Sequence, residues 1–288
     1  MHRTQTLNAL SYRFALCTDD ARLGRHLDAL FAGLRDHDGG VADHWYSLAT
    51  KADDTVDVTR DGAMLARGVT AADAVGWVVW HVNRSAVEAG DHHLLLHAGA
   101  LQADSRAVVL PGVSGSGKST LCAGLAQAGL AYLSDELVAL DLSTDQVLPY
   151  PKPVTVKAGS FEALADVGLR PHGDGDPDAG RWLGEEWQLA VGDGTGLRVG
   201  RSCPPGFVVV PRYVEGAVTS LSGLSDTEAF FALAANAVNL RAHAVRSTDA
   251  LGRAVARCRC MALTFSDLDE ACRLVGGLVG HLAVGRAG

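Results

Sequence analysis

Gly112-Val113-Ser114-Gly115-Ser116-Gly117-Lys118-Ser119-Thr120 is the stretch on which the reading of this chain turns. It satisfies the pattern G-x-x-x-x-G-K-[ST] in full. The flanks agree with it. Ala107–Leu110 reads as a short buried strand, and Lys118 to Gln127 as a helix with Gly129 as its stop. Gly112, Gly115 and Gly117 let the backbone curl so that its N–H groups point inward, at the positive end of a helix dipole. Lys118 then offers a point charge to β- and γ-phosphates, and Ser119 offers a hydroxyl to Mg²⁺. Ser114, Ser116 and Thr120 complete the expected cradle for a nucleoside triphosphate. Only four lysines (51, 118, 152 and 157) occur beside 21 arginines, so a Lys kept in this loop fits a site that wants a compact charge.

Around this loop the chain is globular in composition. Its 288 residues are 48% hydrophobic and 20% charged, which excludes a disordered or collagen-like chain. The net charge of −8 argues against a general nucleic-acid binder. Apolar runs such as Ala229–Leu240 fall short of the roughly 20 residues of a membrane span, and no apolar leader follows Met1. The six cysteines have no Cys-x-x-Cys pair and read as reduced thiols, so a cytoplasmic protein is expected.

Two domains are expected: residues 1–90 as a small α+β unit, and 91–288 carrying the phosphate loop. In the first, Leu23, Leu27, Leu30, Phe31 and Leu34 mark a helix over Ala21–Leu34. Val41–Leu48 and Thr55–Leu65 read as strands, and Ala71–Val87 as a long helix. In the second, Leu94–Leu96, Tyr132-Leu133, Val138–Leu140 and Phe207–Val210 read as strands. The C-terminal third (Thr227–Asn239, Asp249–Arg257, Asp267–Leu282) is helical by periodicity. Such alternation predicts an α/β sheet covered by helices. Val167–Gly200, rich in Gly, Asp and Pro, reads as a mobile loop that is either a lid or acceptor-binding loop or a disordered segment without function.

Two further elements bear on chemistry. Asp135-Glu136 follow an apolar pair, 17 residues after Lys118. Acids at a strand end can hold Mg²⁺ and accept a substrate proton; the alternative is a polar turn joining two strands. His97 closes the run Leu94–Leu96, 15 residues before Gly112, within reach of a γ-phosphate if the two strands are neighbours. His92 and His93 read as surface residues. Lys152 and Lys157, in Pro151-Lys152-Pro153-Val154-Thr155-Val156-Lys157, are either a second phosphate- or substrate-facing element or a solvated strand end.

His97-Ala98-Gly99, Gly112–Ser119 and Leu133-Ser134-Asp135-Glu136 together resemble the HPr kinase/phosphorylase superfamily. Trp77-Val78-Val79-Trp80, Leu94–Ala100, Pro151-Lys152-Pro153 and Ser160-Phe161 are similar to its group called HPr-kinase-related kinase A, whose relatives include tailoring kinases of lasso-peptide gene clusters. The resemblance covers residues 75–215 and implies a P-loop HPr-kinase-like core. It implies ATP and Mg²⁺ as cofactors, Lys118 and Ser119 on phosphates and metal, Asp135 on the metal, Glu136 as base for a serine hydroxyl, and His97 near the transferred phosphate. It is also compatible with a homo-oligomer.

Where the family has a second Asp this chain has Glu136. It has no counterpart of the later Glu-Ile-Arg-Gly signature or of the C-terminal arginine loop, so neither the phosphorylase reaction nor recognition of HPr is implied. Arg212, Arg241 and Arg246 are candidates for the missing cation. The expectation is an ATP- and Mg²⁺-dependent kinase for a serine on a peptide or protein, such as a lasso-peptide precursor. The alternatives are a kinase of a small hydroxyl compound and a nucleotide-gated regulatory module.

Overall fold

The computed structural model describes residues 1–90, 92–170 and 179–280. The chain is mixed α/β, with seven α-helices among the described residues, and divides into two compact units. The first comprises residues 1–90 together with 151–159 and 170–196; the second holds the remainder. The two later segments of the first unit lie within the stretch that sequence alone assigns wholly to the second domain.

In the first unit, strands β1 (His2–Arg3), β2 (Leu7–Ala9), β3 (Tyr12–Thr18), β4 (His44–Thr50), β5 (Val56–Arg60) and β6 (Ala63–Val69) form one sheet in the order β1-β3-β4-β5-β6, with β2 also on β3. The single strand expected over Thr55–Leu65 is thus a hairpin. Asp61 and Gly62, both at positive φ, turn the chain, and such a turn favours Asp and Gly. Helix α1 (Ala21–Leu30) starts where the Asp20 carboxylate accepts the N–H groups of Arg22 and Leu23. Its expected last turn is a separate 3₁₀ turn, Ala32–Leu34. Helix α2 (Ala71–Ala89) is capped by Thr70 and buries Ala71, Ala74, Val75, Val78, Val79 and Val82, one stripe at helical spacing.

The second unit is built on an eight-stranded mixed sheet. Its strands are β7 (His93–Ala103), β8 (Arg106–Pro111), β9 (Ala131–Ser134), β10 (Leu137–Asp141), β11 (Val147–Leu148) and, after β12 (Val154–Lys157) and β13 (Glu186–Leu189) of the first unit, β14 (Pro205–Tyr213), β15 (Ser220–Gly223) and β16 (Arg259–Phe265). The order is β11-β10-β7-β8-β14-β16-β15, with β9 also on β7. β8, β14 and β16 run parallel. The even-numbered residues Leu94, Leu96, Ala98 and Ala100 of β7 join a core with Ala229 and Leu233 of α5 (Asp226–Ala235) and Ala250, Leu251 and Val255 of α6 (Ala244–Arg257). The odd-numbered side of β7 meets α3 (Lys118–Gln127): a Cβ on Gly99 would lie 2.3 Å from Cys122 Sγ. Helices α4 (Phe161–Asp166) and α7 (Leu268–Leu278) pack with α3. Helices thus cover both faces. The C-terminal third is not purely helical, because β15 and β16 complete the sheet.

Val167–Gly200 is not one loop. Residues 171–178 lie outside the described residues, β13 pairs with β12, and Tyr132 donates its N–H to Arg198 O (2.7 Å). No helix among the described residues is long and apolar enough to cross a membrane.

Candidate nucleotide site

The loop 112–117 leaves the C-terminal end of β8 and enters α3, the arrangement for which its glycines are suited. Gly115 and Gly117 stand at φ +83° and +87°, a conformation that disfavours any residue with a Cβ. Gly117 is also sterically closed to side chains, since a Cβ there would lie 2.7 Å from Phe265 Cζ. Gly117 caps α3 without any side-chain acceptor, so the first-turn N–H groups keep their hydrogen-bonding capacity for an incoming anion. Ser116 Oγ is buried and has no hydrogen-bond partner among the described residues. Tyr213, at the end of β14, donates its N–H to Ser116 O (3.2 Å) and holds the loop from its far side.

Lys118 is 6% exposed. Its ammonium donates to the carbonyls of Gly112 (2.6 Å) and Val113 (2.9 Å) and lies 3.2 Å from His97 Nε2. An ammonium only donates, so Nε2 is the acceptor and the imidazole proton sits on Nδ1. Burial, then the positive Lys118, holds the His97 pKa below the ordinary histidine value, consistent with a neutral ring. Burial likewise lowers the Lys118 pKa, against the opposing pull of Cys122, Asp135 and Glu136.

Strand register brings these groups together. Ala98 pairs with Pro111 across β7 and β8, so His97 and Ala98 sit at the sheet edge from which the loop emerges. On the other side of β7, Ala100 faces Ser134 and His97 faces Leu137, so Asp135 and Glu136 stand opposite Gly99 and Ala98. Ala98 N–H donates to Glu136 O (3.2 Å). Asp135 and Glu136 directly follow the end of β9, as expected, and join it to β10 as a short interruption of a line of chain that runs on along β7. Ser134 Oγ donates to Leu137 O (2.7 Å) across the interruption. Asp135 is 1% exposed and accepts from Tyr132 O–H (2.8 Å). Burial first, and the adjacent Asp135 second, push the Tyr132 pKa well above its ordinary value, so the phenol stays a donor.

Not every expected residue joins the cluster. Thr120 donates its hydroxyl to Ser160 Oγ (2.8 Å). Ser114 is exposed on the loop, and Ser119 is half-buried in the first turn of α3. Lys152 is buried in the first unit, its ammonium donating to Pro153 O (3.1 Å), and Lys157 is an exposed end of β12. His93 is half-buried rather than a surface residue. Arg212, Arg241 and Arg246 are all exposed; Arg212 ends β14 at the same sheet edge as the loop.

Three contributors escaped the sequence reading. Tyr132, the one aromatic residue in β9, positions Asp135. Asn236 O accepts the His97 N–H (2.7 Å), and Asn239 bonds both Leu95 N and His93 O, so residues 236–239 line the edge of β7 that β8 leaves free. No local pattern announces those asparagines.

Among the described residues, no three His, Cys, Asp or Glu side chains converge to hold a metal ion. Of the residues expected to hold Mg²⁺, Ser119 is in the first turn of α3 and Asp135 joins β9 to β10; a Mg²⁺ held with a nucleotide draws other ligands from phosphates and water. No protein-family model matches this chain, and no curated protein matches it.

Proposed function

We propose that the second unit is an ATP- and Mg²⁺-dependent kinase of the HPr-kinase type, acting on a serine hydroxyl of a peptide or protein. The observation that carries this reading is the clustering of Lys118, His97, Asp135 and Glu136 at one sheet edge, beside a glycine loop whose hydroxyl and helix-end donors are unspent. A bound ATP·Mg²⁺ would supply the phosphoryl group and neutralise its charge. The chain's own part is positioning and electrostatics. Loop amides, Ser116 and Lys118 would bind phosphate oxygens; Ser119 and Asp135 would hold the metal. Tyr132 keeps Asp135 in place. Glu136 would take the proton of the acceptor hydroxyl. His97, neutral and accepting from Lys118, shares that ammonium with the carbonyls of Gly112 and Val113, so a bound phosphate oxygen would take the place of one of these three acceptors.

Glu136→Gln tests the role of the acid. It should bind ATP·Mg²⁺ with parental affinity by calorimetry and lose roughly 10²–10⁴-fold in kcat toward a serine peptide, the range of general-base catalysis. Glu136→Asp should be milder. Parental rates in both variants would exclude the mechanism.

A further inference from the structure

The pair Trp77 and Trp80 has no part in the nucleotide site, yet both indoles are left exposed, at 40% and 52%. They lie three residues apart on the outer stripe of α2, opposite its buried stripe, with their rings edge to face at 5.6 Å. Together with Gly76 and Asp73 from the same stripe, and Glu185 and Glu186 from the segment entering β13, they line a cavity of about 510 Å³ within the first unit. Every charged residue of that lining is acidic.

The Asp73 carboxylate spends one oxygen on the Thr70 hydroxyl (2.8 Å). Glu185 and Glu186 form no ion pair or side-chain hydrogen bond among the described residues. The neighbouring cations stand outside the lining: Arg84 is held by Glu88 (2.9 Å), and Lys157 faces Glu186 across the two-stranded sheet. Arg84 already rests 5.9 Å from the Trp80 ring centroid, so this indole presents a face to a guanidinium. At Gly76 no atom lies within 4 Å of where a Cβ would stand. A glycine in a helix interior is unfavourable, and here its missing side chain keeps the floor of the cavity open.

We infer that this cavity is a binding site for an arginine or lysine side chain presented by a peptide. The hydrocarbon stem would lie on the indoles and the cationic head among the three carboxylates. The volume exceeds what a lone guanidinium needs and leaves room for flanking peptide residues. The inference concerns binding alone and stands whether or not the second unit transfers phosphate.

The test is calorimetric titration of the full chain, without nucleotide, with Ac-Ala-Arg-Ser-Ala-amide, its citrulline counterpart and spermidine. The arginine peptide should bind at least about tenfold tighter than the citrulline peptide, with the difference shrinking in high salt. Glu185→Gln/Glu186→Gln should abolish that preference. Trp77→Ala and Gly76→Leu, the latter filling the floor, should each weaken binding about tenfold or more. Equal affinity for the two peptides overturns the inference, as does parental affinity in Gly76→Leu together with Glu185→Gln/Glu186→Gln. Spermidine binding as tightly as the arginine peptide overturns the assignment to a peptide.

Discussion

Replacing Gly99 by alanine adds one methyl group where β7 and α3, two elements of the candidate nucleotide site, are tightly packed. The new Cβ would stand 2.3 Å from Cys122 Sγ, with Leu110 Cβ and Cδ1 at 3.6 Å. Both neighbours are fully buried, so the sulfur cannot swing into solvent, and α3 must move or β7 must bend. Forcing a methyl into a packed interior costs about 1–3 kcal/mol. In a unit of this size that lowers the melting temperature by roughly 2–12 °C, at about 2–4 °C per kcal/mol. Cys122 lies four residues beyond Lys118 on the same helix, so displacement of α3 also shifts the ammonium, and ATP affinity should fall with stability. Cys122→Ala removes the obstructing sulfur. The double variant should recover most of the loss, giving a favourable coupling of about 1–2 kcal/mol in a double-mutant cycle followed by thermal unfolding. A parental melting temperature for Gly99→Ala, or strict additivity in the double variant, would refute the packing argument.

Lys118→Ala should weaken ATP·Mg²⁺ binding by about tenfold or more, since it deletes the point charge proposed to meet the β/γ-phosphates, while circular dichroism shows an intact fold; unchanged calorimetric affinity would remove the loop from nucleotide binding. Acidification should destabilise the protein in the histidine range. Burial holds His81, His93 and His97 below the ordinary value near 6.5, so below that pH the unfolded chain binds more protons than the native one. Stability is then fully present above about pH 6.5 and is lost as pH falls toward the depressed native values. The urea midpoint should drop between about pH 7.5 and 5.5, and His97→Gln should reduce the drop; a midpoint that rises on acidification would contradict the sign.

The strand–loop–helix around Gly112–Thr120 was legible in the sequence because everything that determines it is local. A buried aliphatic run makes β8, and a helix-forming stretch of ten residues makes α3. The two glycines at positive φ allow the turn between them. Helix α2 and the second half of α6, from Asp249, were legible for the same reason, as apolar stripes of helical period. Sequence also placed His97, Lys118 and Asp135-Glu136 on neighbouring elements, but only as residue types at suggestive separations.

Only the tertiary structure decided that they meet. The meeting depends on strand register: Ala98 opposite Pro111 on one side of β7 and opposite Glu136 on the other, a shift of one residue being enough to turn His97 away from α3. The first unit's recruitment of 151–159 and 170–196 was equally invisible, since β12 and β13 pair across about thirty residues of chain and carry no period that names the partner. The cavity between Trp77 and Glu185 shares that origin. Sequence reports which side chains an element carries; it does not report which distant backbone will be brought against them, because that pairing is chosen by the burial of many residues at once.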